Sequence, residues 1–257
     1  MRYSRALACQ GVVLCAVGLV AFSQPAAADI FVLQPGAEGK DTYGYQEGGA
    51  SLDKNFGTST ELTASRAGGW QFESFIQFDL STIPSGGYIQ SAQLQLYNHR
   101  IGWANRGNGY VDVYRVLQGW IEGNGGTDND PVGELTWNNR PAVDSHSYDS
   151  LLFLGIPNGG SASESLYPNE WRTWDMTALV QAWHEGTESN YGLALKASSG
   201  ESIFPSFYSS DTALADLRPK LVITHVPEPA GIVLLLVAGM GALSLRLGQR
   251  RSRWRQA

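Results

Sequence analysis

Four aromatic residues stand in polar, turn-rich surroundings where a flat ring could serve as a binding platform. They are Trp70, Trp103, Tyr110 and Trp171. An aromatic face stacks well on the apolar C–H face of a pyranose, and polar groups at its rim then supply hydrogen bonds. We treat these four as candidate carbohydrate-binding residues. An aromatic cap over the edge of the fold is the alternative explanation for each.

Tryptophan is also abundant outside these surroundings. The chain has eight tryptophans, and four of them lie within two residues of an apolar residue: Trp120, Trp137, Trp174 and Trp183. Such neighbours favour packing in a core over contact with a ligand.

Acidic residues form a second candidate site, for a cation. Asp128 and Asp130 lie in a Gly/Asn/Asp-rich segment, residues 123–133, which is flanked by Glu122 and Glu134. Clustered oxygen ligands in a flexible loop suit calcium, which takes about six to eight oxygens. The segment lacks the EF-hand spacing, and a solvated acidic loop explains it as well.

No motif for catalysis is found in the sequence. G-x-S-x-G, H-E-x-x-H, the P-loop and the dinucleotide fingerprint are all missing. The four histidines are scattered. A glycosidase or lyase can instead use carboxylates whose sequence spacing carries no signal. We therefore predict a protein that is not an enzyme, with a polysaccharide lyase or hydrolase as an alternative.

The elements that would position these residues are mostly short strands. Residues 89–97 and 111–116 alternate apolar and polar side chains, and further strands are predicted at 75–78, 193–195, 206–209 and 221–224. Gly, Asn, Asp and Ser separate them. Residues 175–186 alone have helical spacing, with Asp175 as the cap and Gly186 as the stop. The pattern predicts one β-sandwich domain with one short packed helix.

The N-terminus has the three parts of a signal peptide. Arg2 and Arg5 precede an apolar run at residues 7–22, and a small-residue cleavage site follows, most simply after Ala28. The run is shorter than the roughly 20 residues that span a bilayer. We expect residues 1–28 to be removed on export.

The C-terminus carries a second targeting signal. Pro227-Glu228-Pro229 precedes an uncharged segment, and five arginines follow it. A plain membrane anchor would also show an apolar segment before a basic cluster. The order of all three parts resembles the PEP-CTERM sorting signal of Gram-negative bacteria. The resemblance implies that residues 227–257 form this signal, that residues 230–247 enter the membrane before processing, and that an exosortase-type transpeptidase recognises it.

Between the two signals, residues 29–226 are strongly acidic. This stretch has 11 Lys and Arg against 23 Asp and Glu, a formal net charge near −12, and both cysteines of the chain lie outside it. Nucleic-acid binding, which needs a basic surface, is therefore excluded. No disulfide is available to stabilise the domain.

A series of short motifs in this stretch matches a known family in order. They are Asp41-Thr42-Tyr43, Asn55-Phe56-Gly57, Phe78-Asp79-Leu80-Ser81, Ala92-Gln93-Leu94-Gln95-Leu96-Tyr97, Val113-Tyr114-Arg115-Val116, Trp120-Ile121-Glu122, Thr136-Trp137-Asn138-Asn139-Arg140-Pro141, Trp174-Asp175-Met176-Thr177, Leu179-Val180-Gln181-Ala182-Trp183, Asn190-Tyr191-Gly192-Leu193 and Arg218-Pro219-Lys220-Leu221. The set resembles the DNRLRE domain, which is related to the carbohydrate-binding modules of disaggregatase-type proteins. The literal name-giving string is absent, and residues 123–133 form an insert.

The resemblance implies a jelly-roll β-sandwich that binds extracellular polysaccharide. Jelly-roll modules often hold a structural calcium at strand or helix ends, which makes Asp41, Asp79 and Asp175 further candidate ligands. Capping and turn roles explain these three equally well. We expect an exported protein of the cell surface or matrix, with a structural or adhesion protein as the alternative from another class.

Overall fold

The structure of the chain is a computed structural model that describes residues 27–36, 39–67, 69–102, 108–126, 133–154, 166–198 and 203–228. Residues 27–228 belong to one unit. Within the described ranges, no helix is long and apolar enough to cross a membrane. The apolar runs of both predicted targeting signals, and also Trp103, Asp128, Asp130 and Pro229, lie outside the described residues.

Strands dominate the described part of the chain. They are β1 (Asp29–Leu33), β2 (Lys40–Glu47), β3 (Glu61–Thr63), β4 (Ser65–Ala67), β5 (Trp70–Gln77), β6 (Tyr88–Ile101), β7 (Gly109–Arg115), β8 (Asp149–Phe153), β9 (Glu170–Asp175), β10 (Leu193–Ala197), β11 (Pro205–Tyr208) and β12 (Lys220–Val226). Helix α1 (Thr177–His184) lies between β9 and β10. A short 3₁₀ turn, Ala215–Leu217, precedes β12.

The strands form two six-stranded antiparallel sheets. In the first sheet, β12 and β11 pair with successive parts of one edge of β6, and β9 pairs with its other edge. Strand β1 lies beside β12, and β3 lies beside β11. The second has the order β2-β5-β10-β7-β8, with β4 beside β5. The chain passes repeatedly from one sheet to the other, as in jelly-roll folds. The predicted β-sandwich with one short helix is confirmed.

The alternation within β6 separates the core from the outer surface of the first sheet. Ala92, Leu94 and Leu96 are fully buried, whereas Gln93 is exposed and Gln95 half-buried. Because side chains of a strand alternate between its two faces, this register places Gln93, Gln95 and Tyr97 on the outer surface. The alternation predicted for residues 89–97 is confirmed.

Helix α1 is shorter than the predicted span of residues 175–186. Leu179, Val180 and Trp183 are buried against the sandwich, as the helical spacing indicated. Asp175 lies one residue before the N-cap position, yet its carboxylate accepts hydrogen bonds from the N–H and hydroxyl of Thr177, at 2.9 and 2.6 Å. Gly186 follows the helix with a positive φ of 70°, a conformation that glycine adopts readily.

The outer surface of the second sheet is covered by its own chain. Phe75 of β5 and Ala194 of β10 are paired on that surface, and they are buried with Val116 and Leu135 in a second, smaller core. The covering residues come from the long segment between β7 and β8, residues 116–148, which we call the covering segment. This segment also contributes the partly buried Trp120. This covering leaves the first sheet as the one with the more open outer surface.

Strand β9 carries two tryptophans on opposite faces, and their replacement should have unequal effects. Trp174 is fully buried, packs against Phe153 and Phe207, and donates a hydrogen bond to the carbonyl of Val111 at 3.0 Å. Trp174→Ala should lower the free energy of unfolding by about 3–5 kcal/mol. Replacing the half-buried Trp171 with alanine should lower the free energy of unfolding by less than about 1.5 kcal/mol. Denaturant unfolding measures both, and equal losses would contradict the two-faced assignment.

Candidate functional site

A row of rings lies on the outer surface of the first sheet, and we call it the aromatic face. It comprises Tyr97 and His99 of β6, Trp171 of β9 and Tyr208 of β11. Tyr97 is paired directly with Trp171 in the antiparallel register. Tyr97, Trp171 and Tyr208 are half-buried and keep surface available for a ligand, whereas the His99 side chain is only 11% exposed and supports the ring of Tyr208.

The rings of the aromatic face contact one another in sequence. Trp171 and Tyr97 meet edge to face at 5.4 Å between ring centroids. Tyr97 and Tyr208 are nearly parallel at 6.0 Å, and Tyr208 stacks on His99 at 4.3 Å. Contacts of this kind fix ring orientation, so the face is largely formed before a ligand arrives.

Polar groups surround the aromatic face. The ammonium of Lys220 lies 4.0 Å from the centroid of the Trp171 ring. Glu61 of β3 accepts a 2.9 Å hydrogen bond from Arg100, and it lies 3.4 Å from Nε2 of His99. Burial lowers the pKa of His99, which keeps this imidazole neutral at neutral pH. The face therefore offers donors and acceptors beside apolar ring surface.

The sequence-predicted aromatic candidates are spread over the domain. Trp171 alone of the described three belongs to the aromatic face. Trp70 contacts Tyr45 and Phe204 in an aromatic cluster at one edge of the sandwich. Tyr110, which is 43% exposed, points outward from the second sheet.

The face also contains residues that the sequence analysis did not select. These residues, Tyr97, His99, Tyr208 and Lys220, lie within strands, whereas the predicted platforms were chosen for their turn-rich sequence surroundings. Tyr97 and His99 could have been predicted from the alternating pattern of β6, because they follow the outward-facing positions of that strand. The core role predicted for Trp137, Trp174 and Trp183 is confirmed by their burial, and Trp120 packs beside the second core.

A cluster of three carboxylates lies at one edge of the second sheet. Asp41, Glu122 and Asp211 each bring one oxygen within 4.8 Å of the others. Asp41 is 1% exposed, and its Oδ2 accepts the backbone N–H of Ser210 at 2.8 Å. The N–H of Asp41 in turn donates to Oε1 of Glu122 at 2.8 Å. The sequence predicted Asp41 as a calcium ligand, whereas Asp211 was not predicted.

Burial raises the pKa of all three carboxyls. The pKa of Asp41 rises to about 7 because the buried carboxylate is desolvated, and the charge of Asp211 adds to the effect. Desolvation likewise raises the pKa of Glu122 to about 7, with a further contribution from Asp41. The pKa of Asp211 is raised by desolvation, and Arg218 opposes this. Ionising the three together is thus unfavourable without a counter-charge.

Asn55 positions the segment that carries Glu122. Its Nδ2 donates to the carbonyls of Glu122 and Leu135, at 2.6 and 2.9 Å. Its Oδ1 accepts from the N–H groups of Gly57 and Gly125, at 3.1 and 2.7 Å. One fully buried amide therefore satisfies four backbone groups and holds the covering segment on the sheet.

Asp79 and Asp175, the other predicted calcium ligands among the described residues, do not join this cluster. Asp79 is exposed and accepts both the N–H and the hydroxyl of Ser81, at 2.9 and 2.8 Å, which lowers its pKa. Asp175 makes the equivalent bonds to Thr177 at the start of α1. These two residues have the turn and capping contacts that the sequence allowed as alternatives.

A β-sandwich with half-exposed rings and polar groups along one sheet is an architecture suited to carbohydrate binding. Comparison with known families agrees. The chain belongs to carbohydrate-binding module family 96, whose model matches residues 37–225. No curated protein matches the chain.

Asn55→Asp tests the role of the buried amide. The change keeps the shape but turns the Nδ2 donor into an acceptor that faces two carbonyls, so the free energy of unfolding should fall by at least about 3 kcal/mol. Asn169→Asp is the matched control, because its Nδ2 makes an exposed bond to Tyr167, and it should cost under about 1 kcal/mol. Denaturant unfolding and protease cleavage after β7 report both effects. A stable, uncleaved Asn55→Asp protein would refute this role.

Proposed function

We propose that this chain is an exported, non-catalytic protein that binds extracellular polysaccharide on its aromatic face. The observation that carries the proposal is the ordered row Trp171, Tyr97, Tyr208 and His99 on a sheet of a family 96 module. The resemblance to the DNRLRE domain supports the same class of ligand.

The aromatic face would bind sugar by stacking and by hydrogen bonds. The rings of Trp171 and Tyr97 offer apolar surface to the C–H face of a pyranose. Lys220 is a donor beside Trp171, while Gln93 and Gln95, bonded to each other at 3.4 Å, extend polar contacts along β6. Preformed rings reduce the entropy cost of binding. Reversible retention of the protein on a glycan requires no chemistry beyond these contacts.

The proposal places the protein at the cell surface or in the matrix. The signal peptide, residues 1–28, would direct export, and an exosortase-type transpeptidase would recognise Pro227-Glu228-Pro229 while residues 230–247 anchor the chain in the inner membrane. The limits of the sandwich support this: β1 begins at Asp29 and β12 ends at Val226. Both processing events would therefore leave every strand intact.

Replacing the rings should separate the aromatic face from the other candidates. Trp171→Ala should weaken binding to polysaccharide at least about tenfold, since a buried stacking contact contributes about 1.4 kcal/mol or more. Tyr110→Ala, an exposed ring on the other sheet, is the control and should bind like the wild type. A glycan array identifies a ligand, and calorimetry with that ligand measures the affinities.

The opposite result, loss of binding in Tyr110→Ala alone, would move the site to the second sheet. If the wild type binds no glycan and instead retains matrix proteins, the adhesion alternative is correct. Release of reducing ends from matrix polysaccharide would show a lyase or hydrolase.

Processing at both ends is a separate prediction. Mass spectrometry of the exported protein from the producing cells should find an N-terminus at Asp29 and loss of the arginine-rich tail. Replacing Pro227 and Pro229 with alanine should leave the tail attached and the protein in the inner membrane. An uncleaved arginine-rich tail in wild-type cells that contain an exosortase would contradict the sorting proposal.

A further inference from the structure

Three distant parts of the chain meet at the carboxylate cluster. Asp41 is near the start of β2, and Glu122, which follows β7, is 81 residues further along the chain. Asp211 follows β11. In the described ranges, none of the three forms an ion pair with lysine or arginine within 4.0 Å. The nearby ammonium of Lys40 is bonded to Gln77 at 2.8 Å and lies over the ring of Trp120.

A second observation is an unpartnered oxygen inside the cluster. Oδ1 of Asp41 is buried without a hydrogen-bond partner, although its residue is almost completely enclosed. Buried polar atoms are normally satisfied, and a cation bound by the neighbouring carboxylates would satisfy this acceptor.

We propose that Asp41, Glu122 and Asp211 bind a calcium ion that fastens the covering segment to the sandwich. Carboxylate oxygens are the ligands of a hard cation, and three residues that can bind through one or both oxygens leave room for water. Calcium accepts such irregular oxygen sets, whereas magnesium demands a near-octahedral one. The ion would also compensate the charge repulsion among three carboxylates that lie this close together.

The position of the cluster gives the ion a structural role. Glu122 belongs to the segment that buries the second core, and Asp211 belongs to the turn between β11 and β12. An ion held by both would join these two loops to β2. The inference does not depend on the aromatic face, so it can fail or succeed independently of glycan binding.

Calcium titration of the exported protein at pH 8, after treatment with a chelator, tests the site. We expect calorimetry to show one ion per chain with a Kd of about 10⁻³ M or tighter, the range of extracellular modules. Calcium at about 100 times Kd should raise Tm by at least about 5 °C. Magnesium at the same concentration should give a much smaller shift. An unchanged Tm with calcium and with chelator would overturn the proposal.

Substitutions assign the ligands. Asp211→Asn should fold, because Asp211 is only half-buried, and it should lose the calcium-dependent shift in Tm. Asp216→Asn changes an exposed aspartate a few residues away and should keep the shift. If Asp79→Asn or Asp175→Asn abolishes the shift while Asp211→Asn retains it, the ion lies elsewhere and the proposed ligand set is wrong.

Discussion

Apolar burial between two sheets is the interaction on which the rest of this structure depends. The described part of the chain has no cysteine, so packing must do what disulfides do in many exported domains. The same burial sets the register of β6, because a slip of one residue would expose Leu94 and Leu96. Their inward orientation places Tyr97 and His99 outward. The core thus determines where the aromatic face lies.

The two outer surfaces of the sandwich have different roles as a result of one long segment. After β7 the chain covers the second sheet, where Leu135 and Val116 bury Phe75. Glu73, on the same surface, pairs with both Arg140 and Lys196, at 2.9 and 3.2 Å. The first sheet receives no such cover from the described residues, so its rings remain half-exposed. The covering segment therefore leaves the aromatic face as the more accessible of the two outer surfaces.

Sequence patterns predicted those parts of the fold where one face of an element is apolar. Alternation located β6 and β7, and helical spacing located α1. Strands β2 and β9 were not predicted, because neither has a clear apolar face. In β2 the buried positions include the polar residues Asp41 and Thr42, while the aromatic residues Tyr43 of β2 and Trp171 of β9 are only half-buried. The site was predicted only in part for a related reason. Tyr97 and Trp171 are brought together by the pairing of β6 with β9. Asp41 and Asp211 are far apart in sequence but close in the fold. Neither proximity produces a pattern among neighbouring residues of the sequence.

The pairing of β1 with β12 has a mechanical consequence. Residue 29 lies opposite His225, so the first and last strands of the sandwich are neighbours, and β12 is bonded to β6 on its other edge. A load applied to the chain after Val226 along the axis of β12 would act on both ladders in shear. Such a load must break many hydrogen bonds together, whereas peeling would break them one at a time. A protein tethered at that end and bound to a glycan through β6 and β9 would carry tension directly through its best-paired strands.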